Sequence, residues 1–286
     1  MKKRRRSSNN PKPDSTDDSP EQSTVDEIFP EETPRDLKSY INSISKYIYI
    51  IAAAALLSGV FTPFTINAEI INPGHDDETT NALKNIDKYD GIVFTGGAMR
   101  INDMTDVIKK HINFASNCFN HKNKILAICW GLQVCSTAAG GKVKPGKNGA
   151  HIGIATDVII NNEGQKHFIY KNKKKIFTSP AFNFDEVSQL PKGAILLSSD
   201  KVNNVMGVIF NGGNSEVIGL QYHPDYEYFQ MINLIAGRKE RLFKNKNFLN
   251  DEEYQNHISN IKIESELLNF KDRTCEVRNW LNYIKN

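Results

Sequence analysis

From Asp90 onward the apolar and polar positions follow two interleaved periods. Gly91-Ile-Val-Phe-Thr95 is a short apolar run ending on Gly96-Gly97, which reads as a buried strand and a turn. Asp106 to Asn120 sets Val107, Ile108, Ile112, Phe114, Ala115 and Phe119 at helical spacing. Ile125–Cys129 is a second apolar strand, and a helix over Leu132–Ala139 follows it, stopped by Gly140-Gly141. Strands alternating with helices predict an α/β fold: a three-layer αβα sandwich around a mostly parallel central sheet. Further strands are expected at Ile152–Ile160, Lys174–Ser179, Ala194–Ser198, Val205–Phe210 and Glu216–Tyr222. Their shorter connections point to an antiparallel extension. After Asp225 the pattern is helical, with helices over Phe229–Lys239, Glu252–Ile261 and Cys275–Ile284.

The first third reads differently. Residues 1–38 open with Met1-Lys-Lys-Arg-Arg-Arg6 and continue through Ser, Asn, Pro and acidic residues to Glu32. Almost nothing there can form a core, so a disordered charged tail is expected. Tyr47 to Ala68 carries no charge. It has two readings: a membrane anchor through 47–66, or a buried strand (Tyr47–Ile51), a helix through the alanines and a strand at Ala68–Ile71. Ser58, Gly59, Thr62, Pro63 and Thr65 interrupt the apolar run, which favours the second. The division expected is tail 1–38, an α/β domain over 39–235 and a helical extension over 236–286.

Composition narrows the function. The 286 residues are 39% hydrophobic and 24% charged with a net charge of +3, ordinary for a soluble globular protein and no footprint for nucleic acid. Cys118, Cys129, Cys135 and Cys275 form no C-x-x-C pair, and a reducing, cytoplasmic setting is expected. His111, His121, His151 and His167 lack ligand spacing, so neither a metal nor a cofactor is expected. Gly96-Gly97 is not followed by a phosphate-loop lysine.

Candidate chemistry centres on Ile125-Leu-Ala-Ile-Cys-Trp-Gly-Leu-Gln133. An apolar strand ends on a cysteine, and a glycine two residues later opens a helix. That pattern writes a sharp strand-to-helix turn that lifts a nucleophile out at the sheet edge. The amides at the start of the helix then face the sulfur and any developing oxyanion. The thiol needs a base, and His223 in Gly219-Leu-Gln-Tyr-His-Pro-Asp225 is the candidate.

Tyr89-Asp-Gly-Ile-Val-Phe-Thr-Gly-Gly97, Cys129-Trp-Gly-Leu-Gln133, Ala138-Ala-Gly-Gly-Lys-Val143 and Gly219–Asp225 together resemble class I glutamine amidotransferases. The likeness is to the free-standing bacterial branch related to the glutaminase domain of GMP synthase, with its flavodoxin-like fold. Asp185-Glu-Val187 with Leu190-Pro-Lys-Gly-Ala194, and Arg278-Asn-Trp-Leu281, are similar to further segments of that branch. The resemblance implies a Cys129–His223–Asp225 triad that cleaves the side-chain amide of L-glutamine through a thioester. Cys129 is then the nucleophile, His223 the general base and acid, and Asp225 the group that orients the imidazole. It further implies an oxyanion hole at Gly97 and Trp130, with Gly96 and Gln133 against the substrate. Ammonia would pass to a separate synthetase.

The chain departs from that family at Ala127 (commonly glycine), Asp225 (usually glutamate), Asn183 (often histidine) and His151 (usually glutamate). Two alternatives therefore stand beside glutamine hydrolysis: a γ-glutamyl hydrolase with another amide as substrate, and a degenerate relative that binds without turnover.

Overall fold

The computed structural model describes residues 67–285. The charged tail, the 47–66 segment and most of the first predicted β-α unit lie outside the described residues. Among the described residues, no helix is long and apolar enough to cross a membrane.

The chain runs through α1 (Asp76–Lys84), β1 (Ile92–Phe94), α2 (Asp106–Cys118), β2 (Lys124–Ile128) and α3 (Trp130–Ala138). Next come β3 (Lys142–Pro145), β4 (His151–Ile152), β5 (Ala155–Ile160), α4 (Asn162–Lys166), β6 (Ile176–Ser179), β7 (Phe182–Asn183) and β8 (Asp185–Gln189). Strands β9 (Ile195–Ser199), β10 (Gly207–Gly212) and β11 (Ser215–Leu220) complete the sheets. The chain then turns helical in α5 (Tyr228–Ala236), α6 (Lys239–Lys244), α7 (Asp251–Leu267), α8 (Phe270–Arg273) and α9 (Cys275–Lys285).

Seven strands form the main sheet in the order β1-β2-β11-β10-β9-β5-β6. Pairings β1/β2 and β2/β11 are parallel, and β11/β10, β10/β9, β9/β5 and β5/β6 are antiparallel. The sheet is thus mixed, with its parallel half where the α/β alternation stood and the antiparallel extension beyond it. Two small ribbons, β3/β8 and β4/β7, stand apart.

Strand β2 shows why helices cover both faces. Buried on two sides, it alternates its contacts: Ile125 and Ala127 join a core with α2 and α3, through Ile108, Phe114, Leu132 and Val134. Leu126 and Ile128 join a second core with Tyr170, Tyr222, and Val277 and Trp280 of α9. Alternation of side chains across a strand gives each layer its own hydrophobic seam. A third cluster ties Ile152 of β4 to Tyr228, Ile235, Tyr254, Ile258 and Ile261 of the C-terminal helices.

Three predicted elements are corrected. Ala68–Ile71 forms no strand; Ile70 is 51% exposed, so the segment has no buried face to pair on. The single strand expected over Ile152–Ile160 divides at Gly153, whose φ of +86° breaks the pleat and whose α-carbon packs against Ile235. The helix expected over Phe229–Lys239 ends at Ala236 with Gly237 as its cap, glycine being the weakest helix former after proline.

Candidate active site

The parallel half of the sheet delivers three loops to one edge. Strands β1, β2 and β11 lie side by side, with Ile92 opposite Ile125 and Ile128 opposite Leu220. The residues that follow them, Gly96-Gly97, Cys129 and His223, therefore emerge together at the carboxyl ends of the strands, where open α/β sheets bind ligands.

Cys129 sits between β2 and α3 with φ 51° and ψ −107°. A side-chain-bearing residue in that region costs about 1–3 kcal/mol and persists only where its surroundings over-determine it. Two contacts do so. The Cys129 amide donates to the Leu220 carbonyl at 2.7 Å. Gly131 lies so close to β1 that a Cβ there would stand 2.2 Å from the Phe94 carbonyl oxygen. The outcome is a thiol at the N-terminus of α3, where unpaired first-turn amides favour negative charge.

His223 is fixed by its own amide, which donates to the Pro180 carbonyl at 2.7 Å. Its Nδ1 lies 3.2 Å from Asp225 Oδ1, and Cys129 is close enough to act on its charge. Gly96 packs on the imidazole, so that a Cβ would meet Cε1 at 2.5 Å. Tyr226 closes the other side, its ring 4.7 Å from the imidazole in an edge-on arrangement. Burial disfavours charge on His223, but the neighbouring Cys129 and Asp225 outweigh it and raise its pKa to about 10. The imidazole consequently holds the proton at neutral pH. Cys129 and His223 are only 4% and 5% exposed, and the sulfur lies 3.8 Å from the Phe182 carbonyl.

Of the residues singled out by sequence, Cys129, His223, Asp225 and Gly96 meet directly, and Gly97 packs on the Trp130 ring. Trp130 is steadied on its far side by His111, 4.8 Å away edge-to-face. Burial lowers the His111 pKa to about 4, leaving that ring neutral. Gln133 is placed differently. Its Nε2 donates to the Asp185 carbonyl at 2.9 Å and reaches Gln221 Oε1 at 3.4 Å, so its amide N–H groups are engaged inside the protein. Sequence reasoning missed Arg100, which grips Asp185 with Nε at 2.9 Å and Nη2 at 2.6 Å. That bidentate pair moors the loop after Gly97 to β8.

The departures at His151 and Asn183 prove to be one feature. The two residues face each other across β4/β7, with His151 Nδ1 3.0 Å from Asn183 Oδ1. On its other side His151 Nε2 meets Asp200 Oδ2 at 2.8 Å, both side chains being buried. A cavity of about 590 Å³ opens beyond, lined in part by His151, Ile154, Asp157, Asp200, Phe248 and His257; Cys129 does not line it. His151→Ala strands a buried carboxylate oxygen and a buried amide oxygen. We expect it to lower unfolding free energy by about 2 kcal/mol, read from urea titrations. A change below about 0.5 kcal/mol would show that water replaces the imidazole at no cost.

The chain is similar to several known proteins. The chain is 27% identical over 219 residues to a γ-glutamyl-L-1-hydroxyisopropylamide hydrolase from a Pseudomonas species, covering 68% of this chain and 72% of that one. It is 30% identical to γ-glutamyl peptidase 5 of Arabidopsis thaliana, over 54% of this chain and 62% of the peptidase. A glutamine-hydrolysing GMP synthase subunit from Methanococcus vannielii is 28% identical, with 68% of this chain and 90% of that one covered. A glutamine amidotransferase structure from Thermotoga maritima superposes with a TM-score of 0.54 at 20% identity, covering 70% of this chain and 79% of its own; it speaks to the fold. Residues 51–235 match the class I glutamine amidotransferase family over more than half the chain. With the strand-end cysteine and its paired histidine in the place that fold uses for ligands, the chain belongs to the class I glutamine amidotransferases, a family of enzymes.

Proposed function

We propose that this protein hydrolyses the γ-amide bond of a γ-glutamyl compound through Cys129, His223 and Asp225. The observation that carries the reading is Cys129 at the N-terminus of α3 beside His223, whose Nδ1 is hydrogen-bonded to Asp225. Cys129 attacks the amide carbon as its thiolate beside the protonated His223, and the oxyanion forms against backbone N–H groups near Gly97 and Trp130. His223 passes its proton to the departing nitrogen, leaving a γ-glutamyl thioester and a free amine or ammonia. Water then attacks the thioester, His223 takes its proton, and glutamate leaves as Cys129 regains its starting state. Asp225 holds the imidazole through Nδ1 throughout.

For the leaving group we favour a substituted amine over ammonia. The matches named for γ-glutamyl amide or peptide cleavage support this, as does the altered His151–Asn183 pair beside Phe182. The similarity to the archaeal GMP synthase protein supports a second reading, in which ammonia from glutamine passes to a separate synthetase. Incubating the purified chain with γ-glutamyl ethylamide, a γ-glutamyl dipeptide and glutamine separates the two, following ethylamine, amino acid and ammonia. Release from the first two above glutamine supports the first reading, and the reverse order supports the second. No release from any of them, with no thioester trapped on Cys129, ends the hydrolase proposal.

The His223 environment sets a pH dependence. Its pKa is raised from 6.5 to about 10, so the protonated ring is stabilised in the folded state. That contribution is complete below about pH 6.5 and disappears as pH climbs through about 10. Because the leaving nitrogen needs the same proton, kcat/KM should hold through neutral pH and fall with an alkaline midpoint near 10. A midpoint near 6.5 in steady-state profiles would contradict the pairing.

A further inference from the structure

The family match ends at residue 235, yet the loop carrying His223 and Asp225 is held from behind by residues well past that point. Arg273, at the end of α8, is 5% exposed. Its Nη1 donates to the carbonyls of Pro224 at 3.2 Å and Tyr226 at 3.0 Å. Those two carbonyls bracket Asp225, so one guanidinium holds the peptide that enters Asp225 and the one that leaves Tyr226. Nη2 completes the grip on Glu227 Oε1 at 3.1 Å. Glu227 is half-exposed, and an ion pair of that kind adds little by itself; the two backbone contacts are what a buried arginine is needed for.

Three residues further on, Glu276 is fully buried at the start of α9. It accepts from the Tyr222 hydroxyl at 2.7 Å and pairs with Lys173 Nζ at 3.0 Å. Tyr222 directly precedes His223. Arg273 and Glu276 thus grip the chain after and before the imidazole. A cleft of about 70 Å³ lies beside the grip, lined by Asp225, Arg273, Thr274 and Trp280 among others.

We infer that Arg273 and Glu276 are positioning residues, aiming Asp225 at His223 and His223 at Cys129 from a segment outside the family match. The inference rests on the triad reading above. Neither residue touches the reacting atoms; each acts through the loop. Without Arg273, Asp225 drifts from Nδ1 and the imidazole loses one of the two partners that hold its proton.

The test uses the full-length chain and alkylation of Cys129 by iodoacetate, which needs no substrate and whose negative charge reports the imidazolium beside the sulfur. Wild type should alkylate at Cys129 through neutral pH, with the rate falling near pH 10. Arg273→Met should alkylate about tenfold more slowly at pH 7, with the alkaline fall moved to lower pH by about one unit or more. Arg273→Lys, which restores a donor and the charge, should recover part of both. A wild-type rate and profile in Arg273→Met, with only the melting temperature lowered, would make the arginine a purely structural residue and overturn the inference. If Arg273→Met fails to fold, Glu276→Gln and Arg273→Lys carry the test: a slower rate and a shifted fall support the inference, an unmoved profile in both defeats it. A wild-type chain with no such alkaline fall defeats the triad reading itself, whatever the variants do.

Discussion

Cys129→Ala is expected to abolish turnover of any γ-glutamyl amide while leaving the protein folded. Removing the nucleophile from a coupled triad costs on the order of 10⁴-fold or more in kcat, about 5 kcal/mol of barrier. Little structural loss should accompany it. The sulfur's contact with the Phe182 carbonyl is long, at 3.8 Å, and the backbone bond from Cys129 to Leu220 survives the change. Alanine meets the same backbone cost at a φ of 51° that cysteine already bears. Initial rates beside a thermal melt decide the matter: retained turnover in a folded variant would remove Cys129 from the chemistry. The imidazole should respond too, because Cys129 is one of the two neighbours raising His223. In the variant its pKa should drop well below 10, an effect visible by NMR titration of the ring.

Gly131→Ala should do the reverse, damaging the fold first and the chemistry through it. A Cβ at 131 would stand 2.2 Å from the Phe94 carbonyl oxygen and 2.6 Å from its carbon. Both are backbone atoms of β1, with no rotamer to yield. Either α3 lifts away from the sheet or β1 moves, and Gly96-Gly97 moves with β1. Overpacking of this kind costs about 3 kcal/mol, which for a chain of this size lowers Tm by about 6–12 °C. Catalysis should drop about 100-fold as donors near Gly97 shift from the sulfur. A variant with unchanged Tm and kcat would mean that the turn is looser than its contacts indicate.

These two residues also show where the site was legible in advance. The turn at Cys129 is written locally: an apolar strand, a cysteine, then a glycine two residues on, and the close approach to Phe94 is the physical reason for that glycine. His223-Pro-Asp225 is local as well, since the histidine and its carboxylate lie two residues apart. Gln133 turns its N–H groups inward to Asp185 of β8, a contact that proximity in sequence to the nucleophile does not reveal. His151 and Asn183 looked like two separate departures until β4 and β7 set them face to face. Element boundaries slipped at Gly153, where a positive φ broke the strand, and at Gly237, which caps its helix, although the apolar pattern ran straight through both.

By itself the sequence determined the α/β alternation, the strand-to-helix turn, the acid beside the histidine and the family to which these belong. All are short-range matters, set by hydrophobic period, turn stereochemistry and residues within a few positions of one another. Tertiary structure alone decided that β1, β2 and β11 run side by side, so that Gly96, Cys129 and His223 share one edge. It also decided that Arg273 reaches back to Pro224 and Tyr226, and that Arg100 meets Asp185. Such pairings depend on which elements the topology brings together across long stretches of chain, and an arginine in a polar segment carries no local mark of the carbonyls it will find.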